Sequence, residues 1–224
     1  MKRMIALFLS ICVVVCVLPI GALAASDNSS KREALLQRGC DAFPEFKDKI
    51  MADAQPAEVS TFSAVEPYIV FSDTRSISET EELQYTEYSD GTYLLSSVEC
   101  EPLSVTVNSH NSSSQAVNYD VTLEATMSGV DGYFRLSNLR FSLINGQYDC
   151  ITSKGSPSRG GRCTGYTETS SGSAPLYETA SKWATVQYRV NFQFGSSGHY
   201  TKDTLVTFRV GNNTYSHNFS EYAP

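Results

Sequence analysis

Histidine, tryptophan and charge are all scarce in this chain. Its 224 residues hold three His, one Trp and 17 Lys plus Arg, and 18% of residues are charged. His110, His199 and His217 form no H-E-x-x-H run and no i, i+4 pair, which removes a helical zinc site. The chain has no G-x-S-x-G elbow, no S-x-x-K, no P-loop spacing and no D-x-D-x-D-G calcium loop. No cofactor and no metal are expected from these patterns. With Lys and Arg outnumbered by 24 Asp plus Glu, the net charge of −7 repels a phosphate backbone, so nucleic acid is not an expected partner. No helical crossover pattern lies between strands, which excludes a doubly wound parallel sheet. With 41% apolar residues the chain is also neither disordered nor a coiled coil.

What is abundant is hydroxyl. There are 31 Ser, 18 Thr and 13 Tyr, a composition that suits exposed β-structure. From about Val65 the apolar residues recur with period two. Val117, Tyr119, Val121, Leu123, Ala125 and Met127 alternate with polar neighbours. Ala184, Val186, Tyr188, Val190, Phe192 and Phe194 do the same. Each run predicts a strand with one buried and one wet face. Turn signals at Asp90-Gly91, Asp131-Gly132, Asn145-Gly146 and Gly211-Asn212-Asn213 divide the runs into antiparallel hairpins. The apolar phase flips around Ser137-Asn138, which predicts a bulge there. Nine to eleven strands exceed one flat sheet with a solvated back. The expected fold is mainly β, a two-sheet antiparallel β-sandwich of immunoglobulin-like or jelly-roll type with a short N-terminal helical segment.

The N-terminus carries the one long apolar run. Lys2 and Arg3 precede Met4 to Leu18, and Pro19 and Gly21 lead to the small-residue site Ala22-Leu23-Ala24, the pattern of a secretory signal cleaved before Ala25. Residues 1–24 are therefore read as a signal peptide, 25–58 as the helical segment and 59–224 as the sandwich. A released, secreted, extracellular protein is expected, with no membrane anchor after cleavage. In the helical segment Ser30 and Glu33 match a capping box, Leu36, Cys40 and Phe43 share a face, and Pro44 opens a second short helix.

Cleavage leaves Cys40, Cys100, Cys150 and Cys163. An even count in an oxidising compartment predicts two disulfides among three possible connectivities. Cys150–Cys163 is favoured because a Gly-, Ser- and Pro-rich stretch, Lys154 to Arg162, separates them in the manner of a hairpin loop. Cys40–Cys100 follows by elimination. Within that stretch Gly160-Gly161 lies between Arg159 and Arg162, a basic loop able to hold an anion but expected to be a polar hairpin tip.

Charge is unevenly spread. Residues 59–134 hold one basic residue, Arg75, and 12 acidic ones, whereas residues 135–224 hold nine basic and five acidic. Neighbouring acidic and basic strands would neutralise this split, and an acidic face would recruit cations or a basic partner. Aromatic side chains supply the candidate ligand contacts: Trp183 foremost, with Tyr85, Tyr88 and Tyr93 around the Asp90-Gly91 turn. Tyr166 and Tyr177 flank another loop. The favoured function is a non-catalytic extracellular binding or surface-interaction module whose partner is a protein or a glycan. Two alternatives are an extracellular hydrolase using scattered carboxylates (Glu79, Glu81, Glu82, Glu99 and Glu101) and a secreted toxin or antimicrobial factor.

Overall fold

The computed structural model describes residues 20–52, 66–107, 114–127, 130–144, 148–170, 172–195 and 200–221. The described residues open with helix α1 (Ile20–Ala42), a 3₁₀ turn (Pro44–Phe46) and helix α2 (Lys47–Ala52). Strands β1 (Ile69–Ser76), β2 (Glu81–Tyr88), β3 (Tyr93–Val107), β4 (Ser114–Met127), β5 (Val130–Ile144) and β6 (Cys150–Gly161) follow as a meander. Then come β7 (Cys163–Thr169), β8 (Leu176–Tyr177), β9 (Ala184–Phe194), β10 (Tyr200–Gly211) and β11 (Thr214–Glu221). The first sheet has seven strands in the order β1-β2-β3-β4-β5-β6-β8, and the second has four in the order β11-β10-β9-β7. This is the antiparallel two-sheet sandwich. Consecutive strands are neighbours through β6, and the chain changes sheet at β7, β8 and β9, an order distinct from a Greek-key arrangement.

Alternation builds the core. All six apolar residues of the Val117–Met127 run and all six of Ala184–Phe194 are buried. Across the two sheets Phe141 of β5 meets Phe208 and Tyr119 meets Tyr215, with ring centroids 6.3 and 5.4 Å apart. The predicted bulge is present: Asn138 adopts φ 59° and its N–H donates to Asp120 Oδ1 at 3.1 Å. Tyr119 pairs with Leu139 and Val121 with Leu136, so one extra residue on β5 restores the apolar phase. The Asp90-Gly91 and Asn212-Asn213 turns also form as expected, with φ of 86° at Gly91 and 52° and 58° at the two asparagines.

Four expectations are corrected. Asp131-Gly132 is not a turn: both residues pair within β5, opposite Thr126 and Ala125 of β4. Lys154 to Arg162 is not a hairpin loop, since all but Arg162 of it belongs to β6. At Gly161 the chain turns out of the first sheet, and Cys163 starts a strand of the second. There φ is 58°, and a Cβ would sit 2.2 Å from the Asp131 carbonyl oxygen, so only glycine fits. Arg162 N–H donates to that same oxygen at 3.0 Å and closes the corner.

This geometry also overturns the disulfide pairing. Cys150 opens β6 and Cys163 lies two residues past its far end, so a strand of roughly 36 Å at ~3.3 Å per residue separates them, where a disulfide needs about 5.5 Å between Cα atoms. Cys40 and Cys100 lie on opposite faces of the first sheet, one in the helix-side core and the other in the inter-sheet core. All four thiols are buried and unpaired, and burial pushes Cys100 up to about 12, far from a reactive thiolate. Finally, Ser30 and Glu33 do not cap a helix start. The helix already runs through residues 25–29 ahead of them, placing both inside it. The remainder of the predicted leader, the Asn145-Gly146 turn, and His110 and His199 lie outside the described residues.

The helices cover the outer face of the first sheet. Leu35, Leu36, Cys40, Phe43 and Ile50 pack on Leu83, Tyr85, Tyr93 and Leu95, a second core separate from the inter-sheet one. Tyr85 lies at its centre, stacked on Phe46 at 4.3 Å and on Tyr93 at 5.3 Å. Ion pairs surround it: Lys49–Glu87 at 2.6 Å, Arg38–Glu81 at 3.0 Å, and Arg75–Glu45, with the Arg75 guanidinium 4.6 Å above the Phe43 ring. Cations of the helices thus answer part of the acidic charge of residues 59–134. Among the described residues no helix is long and apolar enough to cross a membrane.

One acidic contact is left unfavourable. Glu99 lies directly opposite Glu81 in the β2–β3 register, and Glu101 is beside it. Burial, then Glu101 and Glu81, push the Glu99 carboxyl above its ordinary value, against the pull of Arg38. A carboxyl raised on folding penalises the native state in full above its folded value, and the penalty disappears below the unfolded one. Glu99→Gln is therefore expected to stabilise the protein by roughly 0.2–1 kcal/mol at neutral pH. In urea titrations the gain should fade as pH drops through the carboxylate range.

Candidate ligand-binding groove

Trp183 and Tyr177 border a groove of about 940 Å³. Local sequence explains their exposure. Leu176 and Tyr177 form the two-residue β8, which pairs with Cys150 and Ile151 at the first sheet's edge. Alternation buries Leu176 at 7% exposure and turns Tyr177 outward at 60%. A tight turn follows, closed by Thr179 N–H donating to the Lys182 carbonyl at 2.8 Å and Lys182 N–H to Thr179 Oγ1 at 3.1 Å. Ala184 then enters the core at the start of β9, leaving Trp183 outside it at 38% exposure.

Trp183 rests on the β10–β11 turn. A Cβ on Gly211 would come within 2.8 Å of both Trp183 Cγ and Glu178 Oε2, so the bare glycine backbone is what lets the indole lie there. Two carboxylates hold that turn. Glu178 accepts from Asp149 N–H at 2.9 Å and from Asn212 N–H at 3.0 Å. Asp149, fully buried, accepts from Asn213 N–H at 2.6 Å. These acids satisfy backbone donors that the left-handed asparagines expose, and they fix the surface beneath Trp183.

The remaining wall mixes the polar Thr185, Gln187, Lys182, Ser170 and Ser173 with Pro175, Leu176 and Ala184. Its one lining carboxylate is Glu168. Burial would raise Glu168, but hydrogen bonds from Lys154, at 2.6 Å, and Ser170 hold it below the ordinary carboxylate range. These hydrogen bonds favour the charged form of Glu168, which acts as an acceptor in the groove wall.

Of the predicted contacts, Trp183 is exposed and the other three are not. Tyr85, Tyr88 and Tyr93 are 0%, 5% and 3% exposed, which corrects the aromatic platform expected at the Asp90-Gly91 turn. Tyr85 and Tyr93 hold the helices, and Tyr93 Oη donates to the Ile50 carbonyl at 3.3 Å. Tyr88 packs edge-on to Tyr200 at 4.9 Å in the inter-sheet core. Both faces of this part of the sheet are covered, so its tyrosines have no solvent side. The partner of Trp183 is instead Tyr177, in a strand too short to produce a period-two signal.

The scattered acids do not converge on the groove. Glu81 is paired with Arg38, and Glu99 and Glu101 share a hydrogen bond beside α1. His217 is half-buried in β11, where burial lowers its pKa against the pull of Glu82. Among the described residues no group of three or more His, Cys, Asp or Glu is placed to hold a metal ion. Comparison with protein-family models, with curated proteins and with solved structures finds no match to this chain.

Gly211→Ala tests how Trp183 is presented. The added methyl displaces the indole or Glu178, at a cost of roughly 1–3 kcal/mol. Because Trp183 is the sole tryptophan, its emission maximum should shift, while Gly165→Ala, where a Cβ meets nothing within 4 Å, should leave it unchanged.

Proposed function

We propose that this chain is an exported, non-catalytic binding module that holds a glycan across Trp183 and Tyr177. The carrying observation is the pair of exposed rings bordering one groove whose lining also holds the hydroxyls of Ser170, Ser173, Thr179 and Thr185 and the Gln187 amide. A sugar ring has an apolar C–H face and a polar hydroxyl edge. Aromatic rings complement the first, and Thr185, Gln187 and Ser173 complement the second. The basic n-region, apolar run and small-residue site of residues 1–24 support export, which places the groove among extracellular glycans. The charged form of Glu168 supports binding, as an acceptor in the groove wall.

Trp183 serves as its own probe. Titration of the secreted protein with neutral and acidic oligosaccharides should quench or shift its emission saturably. Tyr177→Ala should weaken that response at least about tenfold, the ~1.4 kcal/mol expected of a lost aromatic stack, with the urea midpoint preserved. Trp183→Ala should abolish retention on the same immobilised glycan. No response across the panel, or hydrolysis of a polysaccharide by the wild-type protein, contradicts the reading; a saturable response to an extracellular protein alone does so too.

A further inference from the structure

At the end of β10 away from Trp183, the inter-sheet face departs from the pattern of the core. Along β10 the inward positions Val206, Phe208 and Val210 are apolar, as the inter-sheet space requires. Lys202 takes an inward position of the same strand and is 6% exposed. Lysine is among the residues least often buried, so its place between two sheets calls for a reason.

Strand β2 brings an amide to this lysine. Leu83 and Tyr85 face the helices, so alternation turns Glu82, Gln84 and Tyr88 to the other side of the sheet, and Tyr88 indeed lies in the inter-sheet core. Lys202 Nζ donates to Gln84 Oε1, and Gln84 Nε2 donates to Ser72 Oγ at 3.2 Å. Together these bonds fix which end of the amide meets the amine. Nζ thus stands beside the carbonyl it would attack, and its hydrogen bond polarises that carbonyl. Both residues line a slot of about 380 Å³, and Glu82 is the one carboxylate among the described residues lining it.

We infer that Lys202 and Gln84 become joined by an isopeptide bond, which ties β2 of the first sheet covalently to β10 of the second. The step is a transamidation and needs no co-reactant. Lys202 Nζ forms a bond to Gln84 Cδ, and the bond from Cδ to Nε2 breaks. Of the three protons of the ammonium, one stays on the new amide and two pass by way of Glu82 to the departing nitrogen, which leaves as an ammonium ion. Nothing is oxidised or reduced. Holding amine and amide in contact replaces a bimolecular encounter by an intramolecular one. The product is a neutral amide, so the inter-sheet space no longer holds the lysine charge. It also supplies a bond that cysteine does not, since Cys40, Cys100, Cys150 and Cys163 are all unpaired. The inference is independent of the Trp183 groove.

Intact mass of the secreted protein under denaturing conditions, with tandem spectra of its tryptic peptides, tests it. The wild-type chain should be lighter than its processed sequence by the mass of one ammonia. A branched peptide should join Gln84 to Lys202, with no tryptic cleavage after Lys202. Gln84→Glu, Lys202→Arg and Glu82→Gln should each show the full sequence mass. On a reducing denaturing gel the wild type, closed into a loop across 118 positions, should run ahead of all three. The inference is overturned by a wild-type chain of full sequence mass, by separate Gln84 and Lys202 peptides, by an ammonia loss that maps to another residue, or by Glu82→Gln linking as completely as the wild type. The first three readouts come from the wild-type protein and need no variant to fold.

Discussion

One backbone corner makes the first of this chain's three crossings between its two sheets. Six strands run as an uninterrupted meander, and at Gly161 the seventh would simply extend the same sheet. Instead the left-handed conformation of Gly161, pressed against the Asp131 carbonyl, sends the chain across to the other layer. Arg159 Nη1 donates to the Cys163 carbonyl at 2.7 Å and Gln193 N–H donates to the Arg162 carbonyl at 3.0 Å, tying both sides of the corner to backbone. The stacking of β9 and β10 over the first sheet and the groove at Trp183 follow this change of layer.

Covering the first sheet on both faces is the second requirement. Seven strands present more apolar surface than a four-stranded partner buries, and α1 and α2 close the outer side. Burial on two faces turns tyrosines that would otherwise face solvent into core residues. It also gives the acidic strands their counter-charges. Lys49 and Arg38 of the helices pair with Glu87 and Glu81 of β2. The acidic excess is thus partly spent inside the fold, which reduces the face available to a basic partner.

Period-two alternation makes the strands around Val117–Met127 and Ala184–Phe194 legible in the sequence, and the phase flip makes the Asn138 bulge legible as well. Those signals are local, carried by neighbouring residues of one strand. Alternation states which residues share a face but not what covers that face, so Tyr85, Tyr88 and Tyr93 look the same whether a helix lies over them or water does. Gly160-Gly161 is ambiguous for a similar reason, since a hairpin tip and a corner between sheets both need glycine. The thiol spacing suggests pairings that only the path of β6 and the two faces of β3 can refuse. Of the groove, Trp183 stands out by rarity, whereas Tyr177 becomes a partner through the pairing of β8 with β6, a contact between distant segments.

The corner is tested most directly by comparing urea unfolding of Gly161→Ala with that of Gly165→Ala, four residues on in β7. The first forces a Cβ to within 2.2 Å of a carbonyl oxygen at a left-handed position, and the second meets open space. Gly161→Ala should lose at least ~2 kcal/mol or fail to fold, and Gly165→Ala should change stability by less than about 1 kcal/mol. Equal stability of the two variants would contradict the account.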